Sequence, residues 1–314
     1  MGCVKLHILD QQYKNTELKV SCVKKELTLK NSAVNGRKAI LLIYTDPDGE
    51  AWWLIPVIVA AVFATGNTVA HAVKGDINNF WDGAKYFFQG AVTGFALGAA
   101  WQFAPLIPGI GYIIQKGMTW YAYGQVGVGV VGILGGAVND GWDGLGRGTQ
   151  LFLGNFYLDE HSFVGGIWRG FTRHTWEMLN TLVGHTYSQI RNSSGLTDYV
   201  EYFGGATFSI RENVTDFNGW RGVSLGNYIN IKLRNNFDKK YPGGWIYGEN
   251  GLYWHEYGHT FDSRLFGALY LPVVGLVSAA TQGWTENRAN RHSNRYGKRH
   301  GYWINWPYTR RYPL

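Results

Sequence analysis

Charge is the first thing this sequence is short of. Asp, Glu, Lys and Arg make up 16% of its 314 residues, against about a quarter in ordinary soluble chains. Low charge alone does not make a chain disordered, and 46% apolar and 16% aromatic residues exclude that state. Such a chain is either densely packed or in contact with membrane. Cysteine is nearly absent: Cys3 and Cys22 cannot build a disulfide framework, and two free thiols suit synthesis in a reducing cytoplasm. No apolar run follows Met1, so no standard signal peptide is expected. Leu6 stands where a myristoylation pattern needs Ser or Thr. A protein of this kind that leaves its cell needs another export apparatus. No zinc-finger or other nucleic-acid signature is present, and no nucleic-acid partner is expected.

What is present divides into three regions. Residues 1–50 are mixed and polar, with alternating runs at Glu17–Val20 and Glu26–Leu29 that predict strands, and they close on a turn, Thr45-Asp46-Pro47-Asp48-Gly49-Glu50. Residues 51–150 are glycine-rich and apolar. The run Ala51–Ala64 is broken by Pro56 and falls short of the roughly 20 residues that span a bilayer. Gly90, Gly94 and Gly98 recur every four residues, and small residues and valines fill 124–136, a spacing that lets helices approach closely in a membrane or in a soluble hairpin. This region is therefore a packed helical scaffold or a membrane-contacting one.

Residues 151–314 read as an α+β domain: a helix near Trp168–Val183, strands at Ala206–Ile210 and Tyr228–Leu233, a glycine loop through Gly243, Gly244 and Gly248, then a helix over Trp254–Leu265. From Glu286 to the end, seven basic residues face the single acid Glu286, a net +6. A solvated basic helix face explains this, and capture of an acidic substrate or membrane surface is the alternative.

His255-Glu256-Tyr257-Gly258-His259 is an H-E-x-x-H sequence. Residues four apart share a helix face, so both imidazoles can hold one metal ion, with Glu256 beside the first as a base for water. Zinc fits such a donor set, since it lowers the pKa of a bound water towards neutrality. Trp254, Tyr257, Phe261 and Leu265 would anchor the opposite face.

A catalytic zinc needs a third protein ligand. Leu265 occupies the position at which an extended motif would carry a third histidine. Asp262 shares the helix face but lies seven residues beyond His255, about 10.5 Å along the axis. Glu286 is the favoured ligand: it follows a turn at Gly283-Trp284, with Thr285 as N-cap and Gly297 ending the helix. His292 stays open as an alternative. Asn290, four residues after Glu286, is placed to hold the outer nitrogen of a ligating histidine. Candidate oxyanion donors are Tyr296, His292, His300 and Tyr302. The strand Tyr228–Leu233 is a candidate edge for an extended peptide. His7, His71, His161, His174 and His185 show no pairing pattern and read as ordinary polar residues.

The motif together with Glu286-Asn287-Arg288-Ala289-Asn290 resembles the gluzincin arrangement, in which a glutamate on a later helix completes the zinc site. Those enzymes commonly carry an aspartate where this chain has Asn290. The resemblance implies a zincin-like metallopeptidase domain over 151–314 that hydrolyses a protein or peptide substrate. Tyr44–Glu50, the glycine-rich stretch after it and the opening Met1–Leu6 resemble the C-terminal parts of bacterial Rhs (YD-repeat) polymorphic toxins. That implies an Rhs-like remnant over 1–50, delivery towards competing cells by a specialised secretion system, and an immunity protein as partner. The competing readings are a membrane-active toxin using 51–150, and a zinc-stabilised binding domain without turnover. Glu256 argues against the last, because a structural zinc has no use for a base beside its first ligand.

Overall fold

A computed structural model describes the backbone of four strands between residues 5 and 43, and residues 54–212, 214, 221–233, 251–281 and 283–302. The turn at 45–50, the glycine loop at 243–248 and Cys3 lie outside the described residues. Two units result, Met1–Ile55 and Pro56–Leu314. In the first, β1 (Lys5–Leu9) pairs antiparallel with β4 (Ala39–Ile43), and β2 (Leu18–Cys22) with β3 (Lys25–Leu29). The strands expected from alternation at 17–20 and 26–29 are β2 and β3.

The second unit opens with helices. The apolar run read as too short continues as α1, Leu54–Lys74, 21 residues long. Pro56 does not interrupt it because the first helical turn needs no proline N–H. Against α1 lies α2, Phe80–Phe103, capped by Asn79, whose side chain accepts from the Trp81 and Asp82 amides. Gly90, Gly94 and Gly98 face the α1 backbone at Phe63, Val59 and Pro56, where a Cβ would collide. The four-residue glycine period is thus a helix–helix contact.

Next comes α3, Gly111–Leu153, reversed at Asp140–Gly141, where Gly141 has φ +56°. Its arms run back to back: Gly136 meets Gly144, Ile133 meets Gly148, and Gly129 meets Phe152. α3 passes through residue 150, and residues 56–314 form one unit.

The single helix expected over 168–183 is two, α4 (Phe163–Arg173) and α5 (Met178–Ser193). Arg173 and His174, at the break, turn inward. Arg173 donates through Nη1 to the carbonyls of Gly154, Asn155 and Tyr157, and His174 Nε2 meets Asn155 O at 2.9 Å. They satisfy carbonyls that the end of α3 leaves without partners, a demand that helical periodicity does not reveal.

The sheet follows, with strand order β5-β6-β8-β7. It consists of β5 (Tyr199–Phe203), β6 (Ala206–Arg211), β7 (Gly222–Leu225) and β8 (Tyr228–Lys232). β8 is not the expected edge: it pairs parallel with β6 and antiparallel with β7. The turn at Gly226, φ +64°, folds β7 to the outside, so β7 is the edge nearest the site described below. Phe203, Phe208, Ile210, Ile229 and Ile231 pack from the sheet against Tyr253, Trp254 and Tyr257 of α6, Gly251–Phe266. Leu265 takes no part in that anchoring, being 59% exposed. Last come α7 (Leu276–Thr281) and α8 (Gly283–Arg299). Gly258 meets the Ala289 backbone so closely that any side chain there would overlap the Ala289 carbonyl, which marks where α6 and α8 cross.

Candidate metal centre

The crossing at Gly258 and Ala289 brings the third candidate ligand to the first two. His255 Nε2 lies 2.6 Å and His259 Nε2 3.8 Å from Glu286 Oε2. One ligand atom from each residue falls within 4.8 Å of the others. The two histidines are buried and Glu286 is largely so. On the far side of the first ring, His255 Nδ1 is 2.8 Å from Asn290 Oδ1.

That contact determines what can occupy the centre. Asn290 Oδ1 accepts, so Nδ1 carries the proton and Nε2 turns its lone pair towards a carboxylate. Two electron-rich atoms at 2.6 Å need a cation between them, either a proton or a metal ion. The donor set of two imidazoles and one carboxylate fits zinc.

Without a metal the pair holds a proton. Burial alone would lower the His255 pKa, but the hydrogen bond to Glu286 and the negative fields of Glu256 and Glu286 overcome it and push it up to about 9. Burial would likewise raise Glu286, yet hydrogen bonds from His255 and His259 hold it well below the usual carboxylate range. Two further groups fix the glutamates. Ser278 Oγ on α7 donates to Glu286 Oε1 at 2.8 Å. Ser224 on β7 donates to Glu256 Oε2 at 2.7 Å and to its backbone carbonyl at 2.8 Å. Glu256 also rests against Gly222, where a Cβ would overlap Oε1. Tyr270 then donates to Ser224 O at 3.1 Å, joining the segment after α6 to the same strand. Sequence reading missed Ser224, Gly222, Tyr270 and Ser278, because each acts through a contact between distant segments.

The remaining expected residues are elsewhere. Asp262, the weaker ligand candidate, accepts from Arg288 Nε and Nη2 at 2.9 and 2.7 Å and lies 3.4 Å from His292 Nε2. His292 stacks on Phe261, with ring centroids 5.6 Å apart, and is not brought to the centre. Nor are the other three oxyanion candidates. Tyr296 is ten residues past Glu286 on α8, about 15 Å along the axis. Its hydroxyl donates to Asp159 Oδ1 at 3.1 Å and lies 3.0 Å from His161 Nδ1. Tyr302 Oη contacts His161 Nε2 at 2.5 Å, and His300 stacks near the same ring.

Asp159, Glu160 and His161 form the other acid–histidine group among the described residues. Arg169 pairs with Asp159 at 2.9 Å and Lys74 with Glu160 at 2.7 Å, while both ring nitrogens of His161 meet tyrosine hydroxyls. This cluster braces α8 and α4 against the segment after α3. His161, His71, His174 and His185 are partnered interior or part-buried groups. No protein-family model, curated protein or solved structure matches the chain.

Proposed function

We propose that this chain is a zinc-dependent peptidase with a zincin-like catalytic domain, in which His255, His259 and Glu286 hold the metal and Glu256 moves the proton. The observation that carries the reading is the convergence of the three ligating groups, with Asn290 setting the His255 tautomer and an acidic side chain next to the first ligand. Bound zinc would supply a Lewis acid for the scissile carbonyl and a lowered pKa for water.

Everything else is the work of the chain. Ser224 ties down Glu256 Oε2, which leaves Oε1, beside Gly222, to accept a proton from the attacking water. As the carbon–nitrogen bond breaks, the same carboxyl returns that proton to the leaving amine. The edge of β7 positions the peptide. Lys232 N–H donates to Arg221 O at 2.8 Å, and antiparallel pairing alternates, so the amide and carbonyl of Gly222 point away from β8. An extended substrate pairing there as an added strand lies against Glu256. Gly222 has no side chain to block that approach. Delivery as a toxin, with an immunity protein as partner, is supported by the Rhs-like resemblance of the sequence.

Glu256→Gln tests the reading. Zinc content, measured by mass spectrometry, is expected to stay at the wild-type level. Hydrolysis of a mixed peptide library should fall about a hundred- to ten-thousandfold. Equal hydrolysis by the variant and the wild type would remove Glu256 from the chemistry and the peptidase reading with it.

A further inference from the structure

Helices α1, α2 and α3 are built the wrong way round for water. Their inward faces carry Asn67, His71, Gln89, Thr93 and Gln125, all buried. These polar groups have partners inside: Asn67 donates to Tyr86 O at 2.7 Å and accepts from the Leu158 amide at 2.9 Å, and Gln89 donates to Asp159 O at 3.1 Å. Their outward faces carry large apolar side chains. Ile58, Val62, Phe88, Val92, Val130 and Val131 are 47–70% exposed. A helix on a water-soluble protein turns its apolar stripe inward and its polar face outward. Here the buried polar groups share the interior with Phe63, Leu97 and Tyr121, and the outward faces are apolar on all three helices, as an apolar surrounding favours.

Length and charge agree. α1 and α3 are each long and apolar enough to cross a membrane, and only 33% and 28% of their apolar windows are buried. No Asp, Glu, Lys or Arg occurs from Leu54 to Val73, from Tyr86 to Gln115 or from Gly117 to Asn139. The charges of α1 and α2 gather at one end, at Lys74, Asp76, Asp82 and Lys85. From Lys85, α2 runs a further 18 residues, about 27 Å, to an uncharged connection, comparable to the roughly 30 Å of bilayer hydrocarbon. That connection exposes Leu106 (76%) and leads to Ile113 (69%).

We propose that the outer face of α1, α2 and the first arm of α3 is a lipid-facing surface that enters a bilayer with the uncharged α2–α3 connection leading. Hydrocarbon is the occupant that fits, because the apolar positions lie on three helices and on the connection between them. A single protein partner covers one patch. The inference does not rest on the peptidase reading.

Flotation of the purified full chain with vesicles of phosphatidylcholine alone tests it. The wild type is expected to float, and to stay bound through high-salt and alkaline washes. Adsorption through the basic α8 face would instead need anionic lipid and yield to salt. The triple variant Val62→Lys, Val92→Lys, Val130→Lys alters only outward positions. It should leave the floating fraction at about a tenth of the wild type or less, with the circular dichroism spectrum unchanged. Equal flotation of variant and wild type would overturn the proposal. So would a wild type that stays a lipid-free soluble dimer by light scattering, because a second copy would then cover these faces. Should the triple variant fail to fold, the single variant Val130→Lys, with intermediate flotation expected, decides the matter the same way.

Discussion

Removing the Asn290 side chain should weaken zinc binding while leaving all three ligands in place. Asn290→Ala deletes the acceptor 2.8 Å from His255 Nδ1. Asn290 is wholly buried and His255 is 7% exposed, so water does not readily replace the lost partner. In the metal-free variant the ring can turn to find another acceptor. With zinc bound, Nε2 is pinned and the Nδ1–H stays buried without a partner, so the penalty falls on the bound state. A buried unsatisfied donor costs about 1–3 kcal/mol, a loss of roughly 5- to 150-fold in affinity at 1.4 kcal/mol per decade. Measured losses of such outer partners, about 10- to 100-fold, fall inside that range.

Asn290→Asp should act in the other direction. It replaces a neutral acceptor by a charged one, which roughly doubles the strength of the hydrogen bond. It also removes Asn290 Nδ2, a buried donor without a partner. Competition against a chelator at fixed pH ranks the three proteins, and the expected order of zinc affinity is Asn290→Asp, wild type, Asn290→Ala. An alanine variant within twofold of wild type, or an aspartate variant weaker than the alanine one, would refute the assignment of Asn290.

Two further outcomes follow from the same centre. Gly258→Ala forces a methyl group onto the Ala289 carbonyl. It should cost about 1–3 kcal/mol or more by overpacking and move Glu286 off His255, so both Tm and zinc content should fall; an unchanged melt with full zinc would contradict the crossing. The proton shared by His255 and Glu286 makes zinc uptake depend on pH. Because His255 is pushed up to about 9, zinc must displace a proton throughout the neutral range, and affinity should climb about tenfold per pH unit towards pH 9 and then level off. In the metal-free fold the raised histidine contributes stability fully below 6.5 that is lost as pH rises through about 9, whereas the depressed Glu286 contributes above 4.5 and is lost in acid. Affinity already flat at neutral pH would show that the pair holds no such proton.

The convergence of His255, His259 and Glu286 was legible because its signals are local in sequence. His255 and His259 stand four apart, and so do Glu286 and Asn290, and helical geometry converts each spacing into a shared face. The strand order was not legible: alternation in Tyr228–Leu233 marks a strand but says nothing about its neighbours, and β8 lies between β6 and β7. The oxyanion candidates share residue type and a stretch of sequence, yet Tyr296, His300 and Tyr302 sit near or just past the far end of α8, where their hydroxyls and rings meet His161. Apolar content alone leaves both scaffold and membrane contact open for 51–150, with the scaffold favoured. The placement of Asn67 and Gln89 inside, with Val62 and Val92 outside, is what supports the membrane proposal.

Ser224 has a consequence for how the protein matures. Both imidazoles, Glu286 and Asn290 come from the C-terminal helices α6 and α8, whereas the hydroxyl that meets Glu256 comes from the edge strand β7. On the proposed function, metal capture and base alignment are therefore separate achievements of the fold. A molecule whose helices have met but whose sheet has not closed would carry a full complement of zinc and remain silent towards substrate. Metal occupancy would, on the proposed function, count assembled helices rather than active enzymes.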